Sequence, residues 1–301
     1  MPSVSSLEEA SAALADAHAD GSRLRIGDDL TADGLDRILE HDPGDLTCTV
    51  EAGVRVSELQ SRLAATGQRL SLDPPGDPTI GALLARNVSG PLRHRFGAPR
   101  DLVLGVTLVL GDGTIASAGG KVVKNVAGYD LARLVCGSEG RLAFIARASF
   151  RLHPLPTATR TLVVETDAVP TVVARLLGSQ LQPSALDVLH PGRVAVLFEG
   201  SERAVTAQLE TALALVGGAE SDPAVWDESR TRQGAAHGRL RFAPGELGET
   251  LATLAEAVVR PSAGVAFTPD DDARVAGAST GAQLLVERIR GELDPRGVLA
   301  A

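Results

Sequence analysis

Residues 121–145, KVVKNVAGYDLARLVCGSEGRLAFI, combine two lysines with the only tyrosine of the chain, Tyr129. A lysine such as Lys124 can balance phosphate charge, and a tyrosine offers a flat surface with a hydroxyl group. Glycines allow the main chain to close over a ligand. The stretch thus places polar residues and glycines inside an otherwise core-forming segment, where Lys121 fits a solvated surface residue, Tyr129 a core aromatic residue and Asp130 the cap of the following helix.

A second stretch, residues 73–90 (DPPGDPTIGALLARNVSG), has the pattern of an anion site. Gly76 and Gly81 flank a predicted helix start at Thr79, where free N–H groups and the positive end of the helix dipole would face a ligand. The hydrogen-bonding groups and the small residue that follow are Asn87, Ser89 and Gly90. The alternative is that all of these are only turn residues.

Other polar residues predict no further chemistry. His94, His153 and His190 have no cysteine, histidine or carboxylate at metal-ligand spacing, so we expect no metal site. The two cysteines of the chain lie on apolar segments and should pack as reduced, small hydrophobic residues. An iron–sulfur cluster takes about four thiolates. Any cluster that exchanges electrons with this protein must therefore lie on another chain.

Composition places the chain among ordinary globular proteins. Its 301 residues are 44% hydrophobic, enough for about two domains. The formal net charge of −9 and the pI of about 5.2 argue against a surface that binds nucleic acid. No apolar run reaches the roughly 18–20 residues of a membrane span, and the amino terminus MPSVSSLEEAS lacks a signal-peptide pattern. We expect a cytoplasmic protein.

Hydrophobic periodicity predicts alternating helices and strands in the first half. Ser6 stands three residues before Glu9, the spacing of a capping box, and the helix that follows should stop at Gly21. Strands are predicted at RLRI, LTCTVEAG and QRLSL, with helices at VSELQSRLAATG and residues 79–86. The segment LVLGVTLVLGDGTIASAGG is typical of a hairpin that turns at residues 112–113.

A linker without periodicity, PLPTATR, precedes the second half. Strands at RTLVVET, ALDVLH, RVAVLFEG, GRLRFAP and AGVAFTP alternate with helices at AVPTVVARLLGS, SERAVTAQLETALALVGG and LGETLATLAEAVV. This order predicts an α+β layer with helices on one face of a mainly antiparallel sheet. No G-x-G-x-x-G follows the first strand, so a Rossmann-type parallel sheet is not expected. We predict one domain over residues 1–156 and a second over residues 157–301, whose C-terminal segment returns to the first.

The two stretches and the intervening GAPRDLVLGV resemble the flavin-binding domain of the vanillyl-alcohol oxidase and p-cresol methylhydroxylase (PCMH) superfamily. Within it, the chain is most similar to the family of FAD-binding (E) subunits of glycolate oxidase, over about residues 35–156. The resemblance implies an α+β fold in which a PCMH-type FAD-binding domain of two α+β subdomains carries a smaller α+β cap domain. It also implies FAD as the cofactor.

The resemblance further implies which residues contact FAD. The residues that would line the pyrophosphate and the flavin ring, or close the loop beside them, are Pro75, Gly76, Thr79, Ile80, Gly81, Asn87, Ser89, Gly90 and Asp101. Those that would face the flavin from the first stretch are Lys124, Gly128 and Tyr129. Gly140 and the backbone at Ile145 would approach the adenosine half.

One part of the family pattern is missing. Members usually carry a glycine-rich loop, R-G-G-G-[ST], after the first strand, and its amides wrap the pyrophosphate. Here LRIGDD leads directly into the next segment, which leaves Gly27 followed by Asp28 and Asp29, whose carboxylates should repel a pyrophosphate. The loss of two charge-assisted hydrogen bonds of about 1.5–3 kcal/mol each would lower FAD affinity by roughly 10²- to 10⁴-fold.

The resemblance implies the FAD-binding subunit of a glycolate-type 2-hydroxy-acid oxidase (dehydrogenase), an FAD-dependent oxidoreductase that works with a larger flavoprotein subunit and an iron–sulfur subunit. Any contact with a membrane would be made through those partners. The sequence identifies no catalytic residue, because the cap cations Arg193, Arg239 and Arg241 form no defined cluster. Two alternatives are a structural subunit with weak or lost FAD binding and, less favoured, a self-contained oxidase that uses molecular oxygen.

Overall fold

The first half of the chain builds a five-stranded antiparallel sheet in the order β1-β2-β6-β4-β5. The computed structural model describes residues 3–120, 130–270 and 280–300. The strands of this sheet are β1 (Ile38–Asp42), β2 (Thr47–Glu51), β4 (Val103–Val109), β5 (Ile115–Gly119) and β6 (Phe144–Arg151). A separate two-stranded ladder pairs β3 (Gln68–Arg69) with β7 (His153–Pro154).

Helices cover this sheet and form two cores with it. They are α1 (Leu7–Asp20), α2 (Val56–Ala64), α3 (Ile80–Arg86), α4 (Arg93–Phe96), α5 (Pro99–Leu102) and α6 (Leu131–Val135). Leu59 of α2 and Leu83 of α3 pack with Phe150 of β6 in the larger core. Leu14 of α1 packs in the smaller core, which Leu299 near the C-terminus completes.

The second half builds a seven-stranded antiparallel sheet in the order β11-β8-β10-β9-β13-β14-β12. Its strands are β8 (Ala158–Glu165), β9 (Ala185–His190), β10 (Arg193–Gly200), β11 (Ala219–Ser221), β12 (Gly238–Arg241), β13 (Ala257–Arg260) and β14 (Val265–Thr268). The accompanying helices are α7 (Val169–Leu177), α8 (Glu202–Val216), α9 (Ala224–Gly234) and α10 (Leu247–Ala252).

Helices lie on both faces of the seven-stranded sheet, so the prediction of one covered face is wrong. Leu186 and Val188 of β9 belong to the core with α7, α8 and α10, whereas Ala185 and Leu189 of the same strand pack with Trp226 of α9. Successive residues of a strand point to opposite faces. Helix α9 therefore covers the second face.

Local signals predicted several boundaries correctly. The N–H of Glu9 donates to the Ser6 hydroxyl at 3.1 Å, and Gly21 ends α1 in the left-handed conformation. The predicted hairpin is β4 and β5, and Asp130 caps α6 through the N–H of Arg133 at 3.0 Å. Both cysteines are free thiols, as expected.

Two predicted elements are wrong. The segment RLRI contributes only single-residue bridges at Leu24 and Ile26, not a strand. The helix predicted over LGETLATLAEAVV ends at Ala252, and Ala257–Arg260 forms β13 between β9 and β14. The β-branched pair at the end of that segment suits a buried strand better than a helix.

The C-terminal segment lies against the first half. Helix α11 (Thr280–Leu293) precedes a parallel bridge between Leu299 and Leu24. The described strands before residue 155 belong to the first sheet or its ladder, and those after it belong to the second sheet. This distribution supports our proposal of a domain boundary at residue 156. None of the helices in the described ranges has the length and apolarity needed to cross a membrane.

Candidate cofactor site

A cavity of about 490 Å³ lies where three segments of the first half meet. Its walls come from residues 26–33, from the first turns of α3 and from residues 139–145. The volume falls within the range of about 300–1,000 Å³ that is typical of sites for small molecules and cofactors.

Four of the predicted site residues line this cavity. Thr79 and Gly81 belong to the start of α3, and Gly140 and Ile145 belong to the segment that enters β6. The structure thus brings together residues from both stretches identified in the sequence. The predicted positions Lys124, Gly128 and Tyr129 lie outside the described residues.

Two glycines of the cavity wall, Gly81 and Gly140, pack closely against neighbouring segments. A Cβ atom at Gly81 would lie 3.1 Å from the Cβ of Ala52 and 3.2 Å from its carbonyl oxygen. Gly140 has a φ of +78°, and a Cβ there would lie 2.7 Å from the Cβ of Ile26. Both positions therefore hold the walls of the cavity in close contact.

The backbone donors at the start of α3 are already paired, so the prediction of free N–H groups there is wrong. Ile80 donates to the carbonyl of Val54 at 2.9 Å, and Gly81 donates to the carbonyl of Ala52 at 2.7 Å. The N–H of Ala82 donates to the Thr79 hydroxyl at 3.3 Å. The carbonyls of the turn after β2 and the hydroxyl of the N-cap residue accept the hydrogen bonds that a bound anion would otherwise accept.

Three other predicted site residues have structural roles outside the cavity wall. Ile80 is fully buried in the larger core. Asn87 ends α3 in the left-handed conformation, and its Oδ1 accepts a hydrogen bond from the N–H of Arg100 at 3.2 Å. Asp101 accepts a hydrogen bond from the N–H of Ala98 at 2.8 Å. Their contact with FAD stays a prediction.

The remaining predicted residues lie where the first half meets the second sheet. A Cβ atom at Gly90 would lie 1.7 Å from the carbonyl oxygen of Asp73. Protein backbone, and not a ligand, therefore makes the close approach to Gly90. The carbonyl of Ser89 accepts hydrogen bonds from Gln233 Nε2 and Arg260 Nη1, each at 3.0 Å. These contacts connect the loop after α3 to α9 and β13.

The turn that carries Pro75 and Gly76 borders the same boundary. A Cβ atom at Gly234, the last residue of α9, would lie 3.3 Å from the Cβ of Pro75. Gly76 has a φ of +66° with open space at its Cβ position. Neither residue lines the cavity.

Residues of the cavity wall fit the adenosine and phosphate parts of FAD in some respects. Thr31 has a buried hydroxyl without a hydrogen-bond partner among the described residues, so a ligand could satisfy it. Gly27 has a φ of +98° with no neighbouring atoms at its Cβ position, but its N–H donates to the carbonyl of Leu30 at 2.9 Å and is not free for a phosphate. Arg86 adds a positive charge.

Carboxylates in the wall oppose a phosphate. Asp33 and Glu139 line the cavity, and Glu139 forms an ion pair with Arg141 at 3.0 Å. The predicted repulsion by Asp28 and Asp29 stays a prediction, because the two carboxylates share one cation, Arg25, at 3.8 and 3.6 Å, and neither lines the cavity. An FAD molecule in this cavity would therefore depend more on backbone and hydroxyl groups than on cations.

Sequence reasoning missed several residues of the cavity. Arg86 stands directly before the predicted residue Asn87, and Glu139 stands directly before the predicted residue Gly140, so the sequence already placed both beside the predicted site. Thr31 and Asp33 belong to a polar segment without periodicity. Thr31 is positioned by a parallel bridge to Ser3, a contact that no local signal reveals.

Comparisons with known proteins agree with this arrangement. Residues 4–119 match the family described as FAD binding domain. Glycolate oxidase subunit GlcE of Escherichia coli (strain K12) is 32% identical over 222 residues, which are 70% of this chain and 62% of that protein. Glycolate oxidase subunit GlcD of Bacillus subtilis (strain 168) is 34% identical over 168 residues, 54% of this chain and 36% of that protein.

A yeast relative and a solved structure extend the comparison. The mitochondrial D-lactate dehydrogenase [cytochrome] 1 of Saccharomyces cerevisiae is 30% identical over 202 residues, 64% of this chain and 34% of that protein. The chain thus spans less than two thirds of the length of each of these three relatives. An alkyldihydroxyacetonephosphate synthase has the same fold, with a TM-score of 0.74 at 15% identity, over 99% of this chain and 74% of that one.

The two antiparallel sheets with their helices form an α+β fold of the PCMH type. Residues 4–119 match an FAD binding domain, and this match together with the relatives identifies FAD as the cofactor.

Proposed function

We propose that this chain is the FAD-binding subunit of a glycolate-type 2-hydroxy-acid oxidoreductase complex. The observation that carries the proposal is the cavity between residues 26–33, α3 and residues 139–145, in a chain that resembles glycolate oxidase subunits and a D-lactate dehydrogenase. An FAD-dependent oxidation of the C2 alcohol of a 2-hydroxy acid is the chemistry that this fold and these relatives support together.

In this proposal the cavity residues hold the cofactor. The Thr31 hydroxyl would bind a polar group of the nucleotide, and Arg86 would balance phosphate charge. Bound FAD supplies an acceptor for the hydride and the electron pair that leave the substrate carbon. The protein positions the cofactor and keeps water away from it.

Electrons accepted by the flavin must leave through a partner. The chain has two cysteines, too few for an iron–sulfur cluster of about four thiolates. We propose that a larger flavoprotein subunit and an iron–sulfur subunit complete the complex, which agrees with relatives named as subunits. Association with a membrane, if the complex has it, would be made by those partners.

The flavin content of the purified chain tests the first part of this proposal. We expect flavin absorbance at about one FAD per chain, either in the isolated protein or after it is mixed with FAD and desalted. The isolated chain should oxidise glycolate and lactate negligibly with an artificial acceptor, and activity should appear when the partner subunits are co-purified. Rapid turnover by the isolated chain would favour a self-contained oxidase instead.

A second candidate function is a structural subunit that keeps the fold but binds FAD weakly. Two observations favour it: Asp33 and Glu139 place carboxylates in the cavity wall, and the N–H groups at the start of α3 are paired within the protein. It predicts that desalting removes all flavin and that the complex stays active when Gly81 is replaced. Stoichiometric flavin in the purified chain would exclude it.

A further inference from the structure

Three arginines share one face of the seven-stranded sheet at the β13-β14-β12 end. Arg239 of β12 pairs with Phe267 of β14, and Arg241 pairs with Val265. On the other side of β14, Arg260 of β13 also pairs with Val265. Directly paired residues of antiparallel strands lie on the same face. Arg239, Arg241 and Arg260 therefore project from the same face as Phe267.

Two of these guanidinium groups contact the same aromatic ring. The Cζ atom of Arg260 lies 5.2 Å from the centroid of the Phe267 ring, and that of Arg239 lies 5.7 Å from it. Both distances are within the range of a cation–π contact. Phe267 therefore holds two positive charges near each other.

A fourth arginine reaches this face from the first half of the chain. Nη1 of Arg93, in α4, donates to the Ser89 hydroxyl at 3.2 Å, and Nη1 of Arg260 donates to the Ser89 carbonyl at 3.0 Å. Ser89 thus connects the guanidinium of Arg93 to the arginines of the sheet. The cluster lies at the boundary between the two halves.

Only one of the four arginines is neutralised by a carboxylate. Arg260 is 1% exposed and forms an ion pair with Asp187 at 3.3 Å, with a further hydrogen bond to Gln233 at 2.7 Å. In the described ranges, no carboxylate lies within ion-pair distance of Arg93, Arg239 or Arg241. The Nε of Arg239 is buried and has no hydrogen-bond partner there.

The electrostatics agree with an unsatisfied cluster. Burial, and then the positive charges of Arg260 and Arg241, lower the pKa of Arg93, while the carboxylate of Asp101 opposes them. Burial and the charges of Arg241 and Arg93 lower the pKa of Arg239. His94, whose Nδ1 lies 2.9 Å from the Ser262 hydroxyl, has its pKa lowered by burial and adds no charge at neutral pH.

We propose that Arg93, Arg239 and Arg241 bind a small dianion, namely a 2-hydroxy acid that carries a second carboxylate. One carboxylate accepts a bidentate pair of hydrogen bonds from one guanidinium and leaves the other two charges unbalanced. Two carboxylates on a short carbon chain can be shared among three guanidinium groups. The inference rests on the proposed function and narrows its substrate class from monocarboxylates such as lactate to dicarboxylates.

Calorimetric titration of the purified full chain tests the inference, with malate and lactate as matched probes that differ by one carboxylate. We expect malate to bind at least tenfold more tightly than lactate. Arg241→Gln should weaken malate binding roughly tenfold to hundredfold, because one charge-assisted pair is lost, and should change lactate binding much less. Arg203→Gln, an exposed arginine of α8, is the matched control and should leave both affinities unchanged.

Several results would overturn the inference: equal affinities for malate and lactate, no binding of either acid, or malate binding that Arg241→Gln does not alter. Arg239→Gln provides a second test with a buried side chain, and its melting temperature must first match that of the wild type. Flavin content is measured on the same preparations. A normal flavin content with equal affinities for malate and lactate would disprove the inference and leave the proposed function intact. Failure to load flavin would disprove the proposed function, and the malate titration would still test the anion site by itself.

Discussion

Arg69 and Glu199 form a bidentate ion pair between the two halves of the chain. Nη1 of Arg69 lies 2.7 Å from Oε1 of Glu199, and Nη2 lies 2.6 Å from Oε2. The side chains are only 13% and 8% exposed. Arg69 also lies over the ring of Phe96, at 5.2 Å from its centroid. Strand β3 of the first half is thereby fixed to β10 of the second.

Removal of one partner of this pair should destabilise the protein strongly. We expect Glu199→Gln to lower the free energy of unfolding by about 3 kcal/mol, because a buried guanidinium loses its counter-charge. Urea denaturation measures the change. Glu202→Gln breaks the more exposed ion pair with Arg160 and should cost less than about 1 kcal/mol. Equal effects of the two substitutions would contradict the prediction.

Asp73 should make stability depend on pH. Burial, aided by the charge of Asp187, raises the pKa of Asp73 from 3.8 to about 7, against the attraction of Arg260 and Arg230 and the hydrogen bond from the Leu92 N–H. The folded protein then binds more protons than the unfolded chain between these two values, so the contribution of Asp73 to stability falls as the pH rises through that window.

The matching experiment compares wild type with Asp73→Asn by urea denaturation at several pH values. The unfolding free energy of the wild type relative to the variant should fall from about pH 4 to about pH 7 and stay constant above that. Asp45→Asn, in an exposed turn, is the control and should give a difference that does not follow this curve. A difference for Asp73→Asn that increases with pH would show that the ion pair with Arg230 dominates.

Replacement of Gly81 should remove FAD binding. A valine at this position would place its Cβ 3.1 Å from the Cβ of Ala52, force α3 away from that residue and so distort the cavity wall that α3 forms. We expect the flavin-to-protein ratio to fall by at least about tenfold, while the circular dichroism spectrum remains that of the folded protein. Gly245→Val, where the structure leaves open space, is the matched control. Stoichiometric flavin in folded Gly81→Val would disprove the cofactor site.

The charges in the cavity wall should have opposite effects on FAD affinity. Asp33→Asn removes a negative charge near the expected phosphates and should tighten FAD binding by roughly threefold to tenfold, whereas Arg86→Gln should weaken it by a similar factor. Quenching of flavin fluorescence on titration with the apoprotein measures both affinities. Asp45→Asn serves again as a charge control. If both substitutions change FAD affinity in the same direction, the phosphates of FAD do not lie near Asp33 and Arg86.

Elements with strong local signals could be predicted from the sequence. The Ser6 cap, the Gly21 stop and the β4–β5 hairpin each depend on residues within a few positions of one another. Strand β13 was mistaken for helix because AEAVV suits either structure until β9 and β14 pair with it. Helix α9 was missed because its segment, AVWDESRTRQG, is rich in polar residues.

The residues of the candidate sites also divide into those marked by local signals and those that depend on long-range contacts. Thr79 and Gly81 were predicted because a helix start and glycines mark them locally, and Gly140 was predicted because the resemblance to the flavin-binding domain implies it. The position of Thr31 depends on a contact with Ser3, and the meeting of Arg93 with Arg239 depends on how the two halves pack. Such long-range contacts leave no trace in hydrophobic periodicity.

The joint at Ser89 bears on how freely the two halves could be exchanged between related proteins. Gln233 and Arg260 both donate to the main-chain carbonyl of Ser89, and every amino acid has that carbonyl. Any residue type at position 89 could accept these two hydrogen bonds. Only the two donors, the side chains of Gln233 and Arg260 in the second half, depend on residue type. A chimaera with a foreign first half of the same backbone shape would retain these two hydrogen bonds, whereas a foreign second half would retain them only if it brought its own glutamine and arginine.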